Sequence, residues 1–500
     1  MSENEYFDKV LVANRGEIAI RVMRACREMG IETVAVYSEA DANALHVKYA
    51  DEAFLIGAAH PKKSYLNKER ILEVAELAGV DAIHPGYGFL AENAEFSGAV
   101  KKAGFTFIGP SEPTMKMMGS KLESKKAMEK AGVPVLPWTK STDHDEAKAF
   151  AESIGYPVIV KASAGGGGIG MTVVNNEAEL DEAIAKSQRT AESAFGDSTV
   201  FIEKYLAKPR HIEVQVFADS KGDVIHMFER DCSIQRRHQK LIEEAPCPIM
   251  TPELREQMTQ SAITVAKTCN YENAGTVEFL YDHGKYYFME MNTRLQVEHT
   301  VTELITGLDM VRMQIMVAAG ERLPYAQDEI TCRGHAIECR VNAEDPMNNY
   351  AADAGKITRY RSPGGPGIRI DSSIHAGYSI PPYYDSMIAK LCARAMTREE
   401  TIARMRRAIT EYVIIGVKTT LPLQYAVMNS PEFIAGNTHT HFLQDPEIMR
   451  YLTRYMRESE TRMNQLGAPL KQGKDKTIAV TAAVSAYMSA LAAKNGKKKE

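Results

Sequence analysis

The chain has 500 residues, of which 44% are hydrophobic and 25% charged, and a net charge of −5. That length exceeds one hydrophobic core, so about three domains are expected, and the composition is that of a soluble globular protein. The acidic balance, without a domain-scale basic stripe, argues against nucleic acid as the main partner, and seven scattered cysteines, never spaced as Cys-x-x-Cys, point to reduced thiols in a cytoplasm.

The chain starts with an acidic, polar stretch that does not read as a secretory signal. Residues 9–12 read as a strand, 17–29 as a helix and 32–37 as a second strand, the βαβ unit of an open doubly wound sheet. This first domain is expected to end near Ile108-Gly109-Pro110, with a helix over 121–131 opening the next. Residues 158–161 read as a buried strand, followed by Gly165, Gly166, Gly167, Gly168, Ile169 and Gly170 and a second strand over 171–174. Strand, glycine loop, strand is neither a P-loop nor a dinucleotide fingerprint, since both need a helix after the glycines. A loop without side chains can instead lie over phosphates and bond them through backbone N–H groups. Lys161 just before it favours that reading over a surface turn.

The densest chemistry lies at 289–299. Glu290, Asn292, Arg294, Gln296 and Glu298 fall at every second position, so an extended chain would point all five to one face. The apolar segment 274–281 carries a lone acid, Glu278, and the turn His283-Gly284 predicts a hairpin that brings the two segments together. Neighbouring carboxylates repel unless a cation lies between them, and oxygen donors without sulfur select Mg²⁺ or Mn²⁺ beside nucleotide phosphates. Strand parity adds a condition. A regular two-residue hairpin would pair Val277 with Glu290 and turn Glu278 to the opposite face, so a shared cation requires an odd connection or a bulge that sets Glu278 across from Glu290.

A third region opens near Thr331, where short strands and the Pro363-Gly364-Gly365-Pro366-Gly367 turns predict an α+β cap. Residues 464–476 read as a linker and 477–493 as an Ala-rich helix, with Val480, Val484, Tyr487 and Leu491 forming one apolar stripe that suits either packing on its own domain or docking a partner subunit, the linker before it favouring docking. The longest uncharged run, 478–493, is shorter than the ~20 residues of a membrane span, so no membrane association is expected. The expected units are 1–118, 119–330 with a lid over about 135–204, 331–450, and a linker and helical tail over 451–500.

Lys161 with its glycine run, Glu203-Lys204-Tyr205-Leu206, His211, Gln235-Arg236-Arg237-His238-Gln239-Lys240, the Glu278/Glu290 pair and the run 292–299 together resemble the ATP-grasp fold of biotin carboxylase. The resemblance begins at Ala13-Asn14-Arg15-Gly16-Glu17 and His84-Pro85-Gly86-Tyr87, ends at Glu338-Cys339-Arg340 and Tyr383-Tyr384-Asp385-Ser386, and covers roughly nine-tenths of the chain. It implies an α/β protein with an open doubly wound N-terminal domain, an ATP-grasp central domain with a mobile glycine-rich lid, and an α+β C-terminal domain. It also implies a ligase that uses ATP and Mg²⁺ (or Mn²⁺) to activate bicarbonate as carboxyphosphate and then carboxylates N1 of biotin.

By the same resemblance, Lys121, Lys161, His238 and the lid glycines would contact ATP phosphates, with Glu203 and Leu206 at the adenine and ribose end and His211 and Gln235 at the ribose. Glu278, Glu290 and Asn292 would hold the metal. Lys240, Arg294, Gln296 and Val297 would bind bicarbonate, Glu298 would remove its proton, and Arg340 would stabilise the enolate-like biotin oxyanion beside Tyr87. Biotin would arrive on a separate carrier protein, with a carboxyltransferase on another chain. The tail is similar to that of biotin carboxylase subunits of two-subunit pyruvate carboxylases, which makes pyruvate the expected final acceptor and acetyl-CoA or propionyl-CoA the alternatives. Arg24 and Glu28 match the family's dimer-contact pair, so a homodimer is expected. Ile169 departs from the basic residue usual in the lid, and Ala351-Ala352-Asp353-Ala354 from a proline-containing turn.

Met115-Lys116-Met117 matches a biotin-attachment core, but its place at a domain junction before helical sequence argues against attachment. His439 and His441 lack a third metal ligand nearby. Two other readings compete: another ATP-grasp ligase joining a carboxylate to an amine, and a non-catalytic scaffold. The first would not be expected to keep Arg294, Glu298 and Arg340 together, and the second would have lost an acid.

Overall fold

The computed structural model describes residues 6–163 and 170–465, with side chains to residue 457. The glycines 165–168, Ile169 and the expected linker and helix beyond 465 lie outside the described residues.

The N-terminal unit is a five-stranded parallel sheet in the order third, second, first, fourth, fifth: Glu52–Gly57, Glu32–Ser38, Lys9–Val12, Ala82–His84 and Thr106–Phe107. Helices Gly16–Glu28, Lys68–Ala78 and Ala94–Lys102 connect these strands, as parallel pairing demands. The strand order reverses between Lys9–Val12 and Ala82–His84, the place where open α/β sheets form a crevice. Both chains leave that crevice through polar loops. Asn14 donates to the Pro85 and Tyr87 carbonyls at 2.7 and 2.8 Å, tying the loops together. Gly86 has φ +63° and a Cβ there would lie 3.0 Å from the Asn14 amide, so both conformation and space call for glycine.

The expected lid is a four-stranded sheet of Trp138–Thr139, Val200–Lys204, Val158–Ala162 and Thr172–Val174, covered by helices His144–Ile154 and Leu180–Phe195. Val158 pairs antiparallel with Val174, so the strands flanking the glycine run form a hairpin. Val158, Val160, Ile202, Ala147, Ala151 and Leu180 fill its small core.

The largest element is an antiparallel sheet of eight strands: Lys285–Asn292, Asn273–Asp282, Arg210–Ala218, Val224–Arg236, Gln239–Ala245, His335–Asn342, Met387–Ala395 and Ile368–Ser372. It crosses the boundary read near residue 331, because Ile242 to Ala245 pair directly with Cys339 to Ala336. The third region is therefore not a separate layer: its strands extend the central sheet, and its helices Arg398–Glu411 and Leu421–Met428 cover them. Helix Pro446–Gln465 runs across residue 450 and ends at the start of the segment read as linker; Leu452 is buried and the Tyr455 and Tyr425 rings lie 4.4 Å apart. No helix among the described residues is long and apolar enough to cross a membrane.

Candidate active site

Four adjacent strands align one row of charge. Glu213 pairs with Arg230 on one side and Glu278 on the other, and Glu278 pairs in turn with Glu290. Directly opposed residues share a face, so three carboxylates stand side by side, an unfavourable row unless cations answer it. Arg230, fully buried, donates to Glu213 at 2.5 Å and to Gln215 and Thr302 at 2.8 Å each. Lys240 bonds Glu213, Glu278 (2.8 Å) and Glu298 (2.7 Å). Burial disfavours the Lys240 ammonium, but these three carboxylates hold its pKa well above the ordinary value.

The hairpin meets the parity condition through a bulge. His283 and Gly284, at φ 44° and 85°, form the two-residue turn, and Asp282 pairs with Lys285. Phe279 pairs with Phe288 but Glu278 with Glu290, so Met289 is the extra residue that brings the two acids across from each other.

The extended strip read over 290–298 does not persist. The strand ends at Asn292, where the Thr293 N–H bonds Glu92 at 3.2 Å, and the chain turns into helix His299–Thr306 with Glu298 as N-cap. Hydrogen bonds gather the polar side chains instead. Arg294 donates to Gln296 at 2.9 Å and to Asn292 at 3.2 Å, and Gln296 donates to Glu278 at 3.3 Å. Glu298 is fully buried between Lys240 and Arg340, at 2.7 Å from each. Burial would raise its pKa, yet Lys240, Arg340 and Arg230 hold it well below the carboxylate range, and the positive helix end favours the same ionised form. Arg340 also donates to Glu243 at 2.6 Å. Val297 precedes Glu298 on the same loop.

A second group of basic side chains, Lys121, Lys161 and His238, lies close together. Lys121 opens helix Lys121–Lys130, capped by Ser120, and Lys161 lies on the lid strand. His238 and Arg237, at φ 66° and 49°, form the tip of a second two-residue hairpin. Although Lys161 pairs with Glu203 at 2.6 Å, burial and the Lys121 charge lower its pKa to about 8. His238 is lowered as well, by partial burial and by His441, Lys161 and Lys121. Two mutually repelling lysines with a histidine beside them, held short of positive charge until an anion arrives, suit a polyanion.

His211 and Gln235 are buried together, 2.7 Å apart, with His211 Nε2 at 3.0 Å from Glu278. Glu203 turns its carboxylate to Lys161 and Lys125, and Leu206 lies half-buried just beyond that strand. Tyr87 sits at the mouth of the N-terminal crevice, its ring 5.7 Å from the Lys390 ammonium. Lys116 lies on helix Glu112–Gly119, paired with Glu112 at 2.6 Å, not on a hairpin.

Two groups of side chains among the described residues come close enough for one cation: His211/Glu213/Glu278 and Glu213/Cys232/Glu298. Lys240 already bonds carboxylates of both, which makes them the lysine's own setting. Glu290 differs. Its pKa is raised by burial and by Glu278, and its nearest cation is Lys121 at 3.8 Å, so positive charge is in short supply there. The carboxylate oxygens of Glu278 and Glu290 with the Asn292 amide form an oxygen-rich set that fits Mg²⁺.

Sequence reasoning missed Glu213, Arg230, Glu92 and Glu243. Glu213 had a signal: His211, Glu213 and Gln215 alternate with apolar residues in Arg210–Ala218, the pattern that drew attention to 290–298. Glu92, which bonds Arg294 at 2.9 Å, comes from the N-terminal unit and had none.

Comparison with known proteins places this architecture. Residues 6–115 match the family Biotin carboxylase, N-terminal domain; residues 120–326 match Carbamoyl-phosphate synthase L chain, ATP binding domain; and residues 338–445 match Biotin carboxylase C-terminal domain. A pyruvate carboxylase subunit of Methanothermobacter thermautotrophicus is 58% identical over 486 residues, 96% of this chain and 99% of that one. Biotin carboxylase 1 of Bacillus subtilis is 53% identical over 445 residues, 88% of this chain and 99% of that one. The biotin carboxylase domain dimer of Hydrogenobacter thermophilus 2-oxoglutarate carboxylase, solved with MgADP, ADP and bicarbonate, superposes with a TM-score of 0.86 at 51% identity, covering 89% and 99% of the two chains. The fold is that of an ATP-grasp ligase. Within that class, the chain belongs to the biotin carboxylase family.

Proposed function

We propose that this chain carboxylates biotin at the expense of ATP, as the biotin carboxylase component of a pyruvate carboxylase. The observation that carries the reading is Glu298, an ionised carboxylate buried between Lys240 and Arg340 and near enough to Arg294 to favour its charged form. A carboxylate kept ionised is available to accept a proton from a group held beside it, and bicarbonate carries one such proton and is planar, a match for the Arg294 fork.

Lys121, Lys161 and His238 neutralise the ATP phosphates, the glycine run covers them, and His211, Gln235, Glu203 and Leu206 line the ribose and adenine end. Glu278, Glu290 and Asn292 would hold Mg²⁺, which when bound would screen phosphate charge. Lys240, Arg294, Gln296 and the Val297 backbone orient bicarbonate, and Glu298 takes its proton as the terminal phosphoryl group is attacked. Carboxyphosphate and ADP are the products of that step, the bond from the terminal phosphoryl group to ADP breaking as the one to bicarbonate forms. Arg340 then faces the ureido oxygen of biotin, stabilising the oxyanion as N1 is carboxylated, with Tyr87 at the pocket edge.

The biotin comes on a carrier protein, and a carboxyltransferase chain completes the reaction in the cytoplasm. The similarity to the Methanothermobacter pyruvate carboxylase chain supports pyruvate as the final acceptor. Arg24 and Glu28 on helix Gly16–Glu28 support a homodimer.

With Mg-ATP and bicarbonate, the protein should release ADP faster when free biotin is added, and Glu298→Gln should lower that rate by about 10²- to 10⁴-fold. ATP cleavage that needs an amine and ignores biotin would instead identify an amide-forming ligase.

A further inference from the structure

Lys390 takes no part in that chemistry, yet it is fully buried, on strand Met387–Ala395. Its strand neighbour is Arg340, directly across the ladder. Two cations opposed in this way repel, an arrangement that needs a reason. They grip consecutive residues of one loop. Arg340 donates to the Glu298 carboxylate at 2.7 Å, and Lys390 donates to the Val297 carbonyl at 3.0 Å.

The buried carboxylates of Glu17, Glu338 and Asp371 keep the ammonium charged, but its hydrogen bond goes to the loop. Asp371, 3.7 Å away, is already paired with Arg369 at 2.8 Å. Glu17 lies at 3.5 Å, beyond good hydrogen-bond length, and neither of its oxygens has a hydrogen-bond partner. The shortest contact of Lys390 is therefore the Val297 carbonyl. Because a peptide is planar, fixing that carbonyl fixes the Val297–Glu298 peptide, and with it the start of the loop's turn into helix His299–Thr306. The Tyr87 ring on the other side of the ammonium links the same lysine to the N-terminal crevice.

We propose that Lys390 is a positioning residue: its bond to the Val297 carbonyl sets the segment on which bicarbonate is held and deprotonated. The inference rests on the carboxylase reading. Displacement of a reacting group by about 1 Å costs up to ~100-fold, so the lysine acts on bicarbonate use and not on nucleotide binding.

The test uses the full-length protein with free biotin. Lys390→Met should raise KM for bicarbonate by about 10- to 100-fold while KM for ATP stays within about twofold. Amide hydrogen exchange should quicken over 295–299 and stay unchanged over 335–342. The double variant Lys390→Met with Glu17→Gln, which removes the lysine together with its nearest carboxylate, should show the same split. Equal rises in both KM values, or a lower Tm with bicarbonate KM and exchange unchanged, would assign Lys390 to the core and overturn the proposal. If the wild-type protein cleaves ATP without regard to bicarbonate, the carboxylase reading fails, and the exchange measurement alone decides whether Lys390 holds the segment.

Discussion

At the scale of residues, the site is a set of unbalanced charges awaiting substrates. Lys161 shows this most directly, because burial and Lys121 bring its pKa to about 8 from an ordinary 10.5. ATP phosphates would stabilise the charged form and restore a higher value. The sign follows from proton linkage. Below pH 8, free and bound protein both carry the proton and affinity is level; above it, the free protein has lost the proton that the complex needs, so affinity falls as pH rises. Titration calorimetry just above that pH, in buffers of different ionisation heat, should show proton uptake on binding, and Lys161→Met should abolish it. Binding without uptake would mean that Glu203 alone keeps Lys161 charged.

At the scale of elements, two hairpins carry the chemistry by different devices. The Met289 bulge moves Glu290 into register with Glu278. The Arg237-His238 tip holds two non-glycine residues in the left-handed region, a strained choice worth about 1–2 kcal/mol per residue. A histidine kept there implies that its side chain is needed more than an easy turn. Replacing His238 with glycine should therefore raise thermal stability by about 1 kcal/mol while weakening ATP binding. Loss of stability on that change would show that His238 packs and does not merely point at phosphate. The bulge requirement was legible in sequence because side-chain parity leaves few solutions. The end of the strand at Asn292 was not, since it depends on Glu92, which reaches Thr293 and Arg294 from another unit.

At the scale of the molecule, charged contacts lock three regions together. Glu303, on helix His299–Thr306, accepts from Arg21 of helix Gly16–Glu28 at 2.7 Å and from Arg369 of strand Ile368–Ser372 at 2.6 Å. Glu303→Gln would leave two buried guanidinium groups short of charge, a loss of about 3–5 kcal/mol. Burial would raise the Glu303 pKa, but Arg21 and Arg369 hold it below 4.5, so its contribution is full above that value and lost as pH falls through the lowered one. The Tm gap between wild type and variant should accordingly narrow in acid. An unchanged Tm at neutral pH would show that Asp309 suffices for Arg21.

The amino-acid sequence by itself determined the doubly wound first unit, the strands that flank the glycine run and the need for a bulge to align the acid pair, because these follow from local periodicity, turn chemistry and side-chain parity, whereas most other charged residues of the site came from the family resemblance. Only the tertiary structure decided that the central sheet runs on into the third region, that Glu213 and Arg230 extend the row of acids, and that Arg340 and Lys390 hold adjacent residues of one loop. Those contacts join residues from 17 to 97 positions apart, and which of them form depends on strand order and on how buried charges find partners, neither of which a local pattern records.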